Sequence, residues 1–355
     1  MAALALIAVA MLVLGGCTAV STAHQTQQKL ARSDIQLVTV NRSLTNPYEA
    51  QWIEGARWYA ASVGLPLKTI ISEGDSQKQL SQIRAIAASG KKVVMTINPN
   101  AAADVPAIVQ SVRTMGGYVV TQWNKPSDQH PWDVGPSWVS HVSYDGRISG
   151  YETGTKLLEA IGGSGGVVAL QGTLDNQPTK ERFAGLQRAI GEHPGAVLLD
   201  DQTAKWERNE AYQVTQSLLT KHGNAVKGVW AANDSMALGA ARAVKEAGRE
   251  AQVKIASASD AVPEALHAIK NGDSLVATFS TDSYYNGAMG IATAYQAAVG
   301  EIDVNSLPRD RREYYVGEFA VDKSNVDEHL APPAPESVLS EVAKGPFARY
   351  TGPLQ

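Results

Sequence analysis

One stretch of the chain, KVVMTIN at residues 92–98, decides the fold class. Its centre, Val93-Val94-Met95, is a continuous apolar run, and residues 167–170, VVAL, form another. A strand with one face in water alternates apolar and polar residues, whereas a strand buried on both faces is apolar throughout. We therefore expect parallel sheets that are covered by helices on both sides.

Similar β-rich runs alternate along the chain with segments of helical periodicity, which is the pattern of βαβ units. Glycines such as Gly64, Gly90 and Gly248 follow the helical segments, where a helix-ending residue is expected. The β-rich runs are Ile35–Asn41, Leu67–Ser72, Lys92–Asn98, Tyr118–Trp123, Val139–Tyr144, Val167–Gln171, Val197–Asp201, Gly228–Asn233, Val253–Ser257, Leu275–Thr281 and Tyr314–Phe319. So many strands exceed what one sheet normally holds. The expected fold is α/β, with two doubly wound parallel-sheet lobes.

Composition and charge exclude several classes of function. The 355 residues include 31 Lys and Arg against 35 Asp and Glu, a net charge of −4, and this mild acidity argues against a duplex-DNA surface. Apolar residues make up 44% of the chain, as in a globular protein. The single cysteine excludes a disulfide framework or a cysteine-rich metal site within the chain.

The N-terminus has the pattern of an export signal. The run Ala2–Leu14 is apolar but too short to span a bilayer, and small residues lead from it to Cys17. The segment LGGC at 14–17 resembles the bacterial lipobox, whose cysteine becomes the lipidated first residue of the mature protein. We expect an extracytoplasmic lipoprotein anchored through Cys17. The alternative is a soluble periplasmic protein whose signal is cleaved elsewhere, with Cys17 lost.

Polar and aromatic residues follow the predicted strands. In open parallel sheets, ligands bind beyond the carboxyl ends of the strands. Those ends and the nearby loops carry Asn41, Asn46, Asn98, Trp123, Asn124, Gln171, Asp200, Asp201, Trp206, Asn233, Asp234, Asp260, Thr281 and Asp282. Amides and acids match the hydroxyls of sugars and polyols, and a flat ring covers a ligand's C–H face. The alternative is that Asn and Asp only form turns at these positions.

Four motifs follow one another along the chain, namely LTNPY at 44–48, INP at 97–99, KERFAGL at 180–186 and AANDSMALGA at 231–240. Together they resemble the ribose-binding-protein branch of the type I periplasmic sugar-binding proteins. The similarity runs in order from residue 34 to residue 319. It implies two lobes joined by a three-segment hinge, with a sugar held in the cleft and released to an ABC permease in the inner membrane.

This resemblance also divides the chain into segments. Residues 1–33 are the lipoprotein signal and a polar spacer, residues 34–144 plus 281–308 form lobe 1, and residues 145–280 plus 309–320 form lobe 2. Residues 321–355 are expected to run over the surface as a C-terminal tail, because the chain becomes proline-rich at Pro332, Pro333 and Pro335.

The resemblance implies a set of ligand-binding positions, which are Asn46, Tyr48, Asn98, Trp123 and Asn124 from lobe 1, and Lys180, Trp206, Asn233, Asp260 and Thr281 from the far lobe and the hinge. Asn233 and Asp234 also begin a helix, and we expect one side chain to cap it while the other faces the ligand.

The chain departs from ribose binders at several of these positions. Trp123-Asn124 replaces Asp-Arg, Glu49 replaces a second aromatic, Lys180 replaces Arg, and Thr281 replaces Gln. Because Lys and Arg are not interchangeable at such sites, the ligand is not assigned as ribose.

An enzymatic function has weaker support. Residues 162–166, GGSGG, satisfy the G-x-S-x-G pattern of serine hydrolases, but a helical segment precedes Ser164 and a strand follows it, the reverse of a nucleophile elbow. The histidines have no zinc-site spacing, and no phosphate-binding loop occurs, so we expect no metal and no cofactor. A glycosidase with two carboxylates from separate loops stays open.

The predicted function is capture of a monosaccharide or polyol by hinge closure, for delivery to an ABC importer, by a monomeric protein that is not an enzyme. The alternatives are a sensor that presents bound sugar to a receptor and, less favoured, a glycoside-processing enzyme. A LacI-type repressor is disfavoured, because no helix-turn-helix precedes residue 34 and an export signal does not suit a DNA-binding protein.

Overall fold

The computed structural model describes residues 26–354, so the predicted signal and Cys17 lie outside the described residues. The strands are β1 (Ile35–Asn41), β2 (Leu67–Ile71), β3 (Lys92–Ile97), β4 (Tyr118–Gln122), β5 (Trp138–Ser143), β6 (Ser164–Gln171), β7 (Gly195–Thr203), β8 (Val226–Ala231), β9 (Lys254–Ser257), β10 (Leu275–Ser280), β11 (Glu313–Val316), β12 (Phe319–Asp322) and β13 (Tyr350–Pro353). The helices are α1 (Pro47–Ser62), α2 (Ser76–Ala85), α3 (Val105–Thr114), α4 (Pro131–Val134), α5 (Gly146–Ala160), α6 (Gln177–Gly191), α7 (Arg208–His222), α8 (Asp234–Glu246), α9 (Pro263–Asn271), α10 (Ser283–Val299), α11 (Arg309–Arg312) and α12 (Pro335–Ala343).

Lobe 1 is built on a seven-stranded sheet in the order β13-β11-β5-β4-β3-β1-β2. Its strands are parallel except β13, which pairs antiparallel with β11. Val94 of β3 packs in a core cluster with α1 and α10, while Val93 and Met95 pack on the other face with α2 and α3. All three residues have no exposed surface, which confirms the interpretation of the continuous apolar run.

Lobe 2 is built on a six-stranded sheet in the order β12-β10-β9-β8-β6-β7. Only β12 is antiparallel, and it pairs with β10. The run VVAL at 167–170 lies in β6 and is fully buried. Upstream of it, α5 ends at Ala160 and two glycines of positive φ, Gly162 and Gly163, lead to the start of β6 at Ser164. The order helix, turn, strand is therefore the one that the sequence predicts around Ser164.

The chain crosses between the lobes at four places. It passes from β5 to α5 at residues 144–145, from β10 to α10 at residues 281–282, and from β11 to β12 at residues 317–318. A fourth passage, residues 323–334, leads from β12 back to α12, which packs on α10 and α1 of lobe 1. Asp282 at the second passage has a left-handed φ of 44° and forms a 2.8 Å ion pair with Arg349 from the C-terminal segment.

Two parts of the predicted division of the chain were wrong. Residues 309–316 belong to lobe 1, because β11 lies parallel beside β5, with Tyr314 opposite Val142. Residues 335–353 are not a loose surface tail, since α12 buries Val338 and Val342 in the lobe 1 core and β13 extends its sheet. The single strand predicted at 314–319 is two strands of different sheets, separated at Gly317 and Glu318.

Candidate functional site

A polar cavity of about 510 Å³, its open mouth included, lies between the two lobes. Its lining residues follow strand ends in both sheets, as expected for parallel α/β architecture. Lobe 1 contributes Arg42, Ser43, Asn46, Tyr48, Glu49, Asn98, Trp123 and Asn124, and lobe 2 contributes Asn176, Pro178, Arg182, Trp206, Glu207, Asn233 and Asp260.

Two aromatic residues form the lobe 1 wall. Trp123 directly follows β4 with a φ of 68°, an unusual value for a bulky side chain, which indicates that its surroundings hold it in place. Its indole N–H donates to the Tyr48 hydroxyl at 2.9 Å, and the two ring centroids are 6.0 Å apart in an edge-to-face arrangement. Asn286 of α10 also donates to the Tyr48 hydroxyl, at 3.0 Å. The wall is therefore fixed by α1, β4 and α10 together.

Trp206 forms the facing wall in lobe 2. It follows β7 with a φ of 70°, and its ring lies so close to Gly172 that a Cβ there would be 2.1 Å from the indole. The indole N–H is buried and has no hydrogen-bond partner among the described residues. A ring held this tightly is a flat surface for the C–H face of a ligand.

Arg182 of α6 lies between the two tryptophans. Its guanidinium carbon is 5.0 Å from the Trp123 ring centroid and 5.7 Å from that of Trp206. One terminal nitrogen donates to the Ala232 carbonyl at 2.8 Å, while Nε is buried without a partner among residues 26–354. A buried donor without a partner is costly, so a bound molecule is expected to accept from it.

Several buried acceptors also lack partners. Asn98 donates to Glu49 at 2.8 Å and Asn124 donates to the Pro99 carbonyl at 3.0 Å, so the amide nitrogens are used and the amide oxygens remain. The acceptors with no partner in the described chain are Asn98 Oδ1, Asn124 Oδ1, Asn176 Oδ1 and Asp260 Oδ2. Such groups are rarely orphaned in folded proteins, so bound molecules, whether water or a ligand, are expected to supply the missing donors.

Asn233 and Asp260 are joined at the strand ends of lobe 2. Asn233 caps α8 by accepting from the Met236 N–H at 3.0 Å, and its side chain also bonds the Asp260 carboxylate. Asp234 is fully buried and accepts from the Thr278 hydroxyl at 2.6 Å and the Val262 N–H at 2.8 Å. The expected division of roles was wrong, because Asn233 both caps the helix and lines the cavity, whereas Asp234 faces the interior.

Burial alters the acidity of the cavity carboxylates. Desolvation raises the pKa of Asp260, against the opposing effects of Arg182, Ser259 and Asn233. Desolvation likewise raises the pKa of Glu49, against hydrogen bonds from Asn41 and Asn98 and the charge of Arg42.

Two of the predicted binding residues lie outside the cavity. Lys180 is exposed, and Arg182 lines the cavity instead. Each position along a helix turns by about 100° around its axis, so residues two positions apart differ by about 200°. Lys180 and Arg182 therefore point to opposite sides of α6. Thr281 is buried at the second crossing, where its carbonyl accepts from Tyr144 at 2.9 Å and Asn286 at 3.0 Å. Its hydroxyl has no partner in the described chain and does not line the cavity.

The eight other predicted residues line the cavity, namely Asn46, Tyr48, Asn98, Trp123, Asn124, Trp206, Asn233 and Asp260. Sequence reasoning missed Arg42, Ser43, Asn176, Pro178, Arg182 and Glu207, and it treated Glu49 only as a departure from the family pattern. Arg42 and Ser43 directly follow β1, and Arg182 lies within the KERFAGL motif, so all three positions carried a signal that was not used.

Within residues 26–354, no helix has both the length and the apolar character needed to cross a membrane. Over the same range, no group of three or more His, Cys, Asp or Glu side chains is arranged to hold a metal ion.

The chain is similar to known binding proteins over most of its length. A family model described as a periplasmic binding protein domain matches residues 37–302. The Ribose import binding protein RbsB of Salmonella typhimurium is 30% identical over 272 residues, which cover 77% of this chain and 87% of that protein. The Xylitol-binding protein of Mycolicibacterium smegmatis is 28% identical over 301 residues, covering 84% and 80%.

A solved structure of a twin-arginine translocation pathway signal protein from Burkholderia phytofirmans is similar, with a TM-score of 0.83 and 40% identity over 91% of this chain and 98% of that chain. An ABC transporter solute binding protein from Mycobacterium smegmatis, solved with bound glycerol, gives a TM-score of 0.72 and 27% identity over 84% and 97%. Since the family model spans strands of both lobes, the chain belongs to the type I periplasmic sugar-binding proteins.

Proposed function

We propose that this chain captures a neutral monosaccharide or polyol between its lobes, outside the cytoplasm, and delivers it to an ABC importer without catalysing a reaction. One observation carries the proposal, namely the buried polar atoms of the cavity walls that have no partner in the described chain. Four are acceptors, and two, the Arg182 Nε–H and the Trp206 indole N–H, are donors. Hydroxyl groups satisfy both kinds, because each donates once and accepts.

The number of unsatisfied acceptors indicates how many hydroxyl groups the ligand carries. Four acceptors require four donated hydrogens, and each hydroxyl supplies one. A ligand with about four or more hydroxyl groups meets this need, as monosaccharides and the larger polyols do. The Trp123 and Trp206 rings suit the C–H faces of such a ligand.

The charges around the cavity favour a neutral ligand. Arg42 and Arg182 are balanced by Glu49 and Asp260, and the half-buried Glu207 adds a further acid at the wall. An anionic ligand would require cations in excess, since a buried charge needs a compensating partner. The balance therefore supports an uncharged sugar or polyol.

The burial of the cavity supports closure around the ligand. Trp123, Arg182 and Asp260 are only 6%, 4% and 7% exposed, although each lines the cavity. Side chains this deeply buried become more accessible when the lobes separate, and a ligand that contacts both lobes favours their approach. The short crossings at residues 144–145, 281–282 and 317–318 are the places where the backbone would bend.

Thermal-shift screening against pentoses, hexoses and polyols, followed by calorimetry, tests the proposal. A ligand raises the melting temperature according to its occupancy, so at least one neutral polyhydroxyl compound should stabilise the chain. Asp260→Asn should remove the shift, whereas Asp327→Asn, which alters an exposed acid that does not line the cavity, should retain it. If no neutral compound stabilises the protein, or only anionic compounds do, the proposal is wrong.

The proposal extends to membrane attachment through a lipid on Cys17. It rests on the LGGC segment and on the extracytoplasmic location of the family. Cells that produce the chain with labelled palmitate should incorporate the label, and Cys17→Ser should abolish incorporation. Label retained in Cys17→Ser, or a parent protein that carries none, would contradict the anchor without affecting the binding function.

A further inference from the structure

Glu49 and Arg42 form a charged pair at the lobe 1 side of the cavity. Glu49 lies in the first turn of α1, is 3% exposed, and lines the cavity beside Arg42. Asn41 donates to one carboxylate oxygen at 2.7 Å and Asn98 to the other at 2.8 Å, and the Arg42 backbone N–H donates as well. The carboxylate is therefore held rigidly, by donors that favour its ionised form.

The guanidinium of Arg42 is not paired with this carboxylate. Its charge is influenced by Glu49, Glu207 and Asp175, but within residues 26–354 no carboxylate oxygen lies within 4.0 Å of its nitrogens. It also donates no side-chain hydrogen bond to the described chain. The half-buried Arg42, with unused donors beside a buried acid, offers a bound polar group a position between the two side chains.

The opposite lobe also presents an arginine and an acid. Arg182 has an unpartnered Nε–H and Asp260 an unpartnered Oδ2, and these two residues also form no ion pair within 4.0 Å. The cavity thus has an arginine and an acid on each side, and each pair is open toward the space between them. A ligand hydroxyl at either position can accept from the arginine and donate to the acid.

We propose that Glu49 and Arg42 determine specificity by binding one hydroxyl of the ligand between them. This inference rests on the proposed function, and it narrows the ligand to a polyhydroxyl compound with a free hydroxyl at its lobe 1 end. An analogue that lacks this hydroxyl leaves the guanidinium without an acceptor there, and the carboxylate keeps only the donors that the protein supplies. A site built to bond a hydroxyl rejects such an analogue far more strongly than an apolar site rejects a missing methylene.

The test combines substitutions with deoxy analogues. Calorimetry measures the binding of ribose, allose and xylitol and of the monodeoxy analogues of each. The proteins compared are the parent chain, Glu49→Gln, Arg42→Gln and the control Glu54→Gln. Glu54 lies on the same helix, is partly exposed and does not line the cavity. In the parent, loss of one particular hydroxyl should lower affinity about 10- to 150-fold, the effect of a charge-assisted hydrogen bond.

In Glu49→Gln, affinity for the intact compound should fall by a similar factor, and the penalty for that missing hydroxyl should nearly disappear. Arg42→Gln should behave in the same way, and Glu54→Gln should match the parent. Because the Arg42 side chain is not bonded to the carboxylate, Arg42→Gln keeps the test valid if Glu49→Gln does not fold, which unliganded melting curves report. The specificity proposal is overturned, and the proposed function is not, if either folded variant binds with parental affinity. The same holds if either variant still loses as much affinity as the parent when that hydroxyl is missing. If the parent binds none of the neutral compounds, the proposed function fails with it.

Discussion

Replacing Gly172 by alanine tests whether the position of Trp206 sets ligand affinity. A Cβ on Gly172 would lie 2.1 Å from Cζ2 of the indole, 2.2 Å from Cε2 and 2.4 Å from Cη2. Ordinary contact begins at 3.4 Å, so from 2.1 Å the ring has to move away by about 1.3 Å. Gly172→Ala should therefore displace the lobe 2 wall without touching the polar residues of the cavity.

The cost follows from the contacts that the ring loses. An aromatic contact contributes about 0.5–1.5 kcal/mol beyond burial, and a cation–π contact, such as that with Arg182, contributes about 0.5–2 kcal/mol. The contact with Arg182 lies within the protein, so its loss lowers the stability of the fold. Weakening of the contact between ring and ligand removes about 0.5–1.5 kcal/mol of binding free energy, which is a loss of affinity of about 2- to 13-fold.

Calorimetry with the best sugar or polyol from the thermal-shift screen measures the loss, and near-ultraviolet circular dichroism reports the indole environment. Gly191→Ala is the matched control, because it lies at the end of α6 in the same lobe and an added Cβ meets nothing within 4 Å. The control should bind as the parent does. If Gly172→Ala has parental affinity and an unchanged aromatic spectrum, Trp206 is not the constrained wall described above.

Three other changes test separate parts of the molecule. Trp206→Ala should weaken sugar binding about 5- to 150-fold and remove most of the ligand-induced change in tryptophan fluorescence; an undiminished change would contradict its role. Because burial raises the pKa of Asp260 and a ligand hydroxyl donates best to the ionised carboxylate, parental affinity should fall as pH drops below neutral. Asp260→Asn should show weak binding without this dependence, and a parental pH profile in that variant would refute the assignment. Arg349→Gln breaks the 2.8 Å ion pair with Asp282, and should lower the free energy of unfolding by up to about 1 kcal/mol, since both side chains are partly exposed. A melting temperature at or above that of the parent would exclude a stabilising role for this pair.

Much of the cavity wall could be anticipated from strand ends. Asn98, Trp123 and Asp260 follow β3, β4 and β9, and parallel strands place their carboxyl ends at one edge of a sheet. Each strand is marked by its own apolar run, so the position of its carboxyl end can be predicted from neighbouring residues alone. Their role in ligand binding stays a prediction until affinities are measured.

The rotation of residues around a helix explains why Lys180 lies outside the cavity. Lys180 and Arg182 lie in one motif, but only one side of α6 faces the cavity, and the packing of α6 against α5 decides which side that is. Burial of Glu49 is equally non-local, since it depends on Asn41 and Asn98 from two adjacent strands. A local pattern of residues does not predict such contacts between elements that are distant in the sequence.

Continuous apolar runs and helix-ending glycines, which are local features, were enough to determine two lobes of parallel sheet covered by helices. Only the tertiary structure decided that β11 joins lobe 1, because its partner β5 lies far back along the chain and pairing depends on contact in space. It also decided that the C-terminal segment returns to lobe 1, where Val338 and Val342 are buried. The physical reason is that secondary structure follows from neighbouring residues, whereas a cavity between lobes follows from which distant surfaces bury each other.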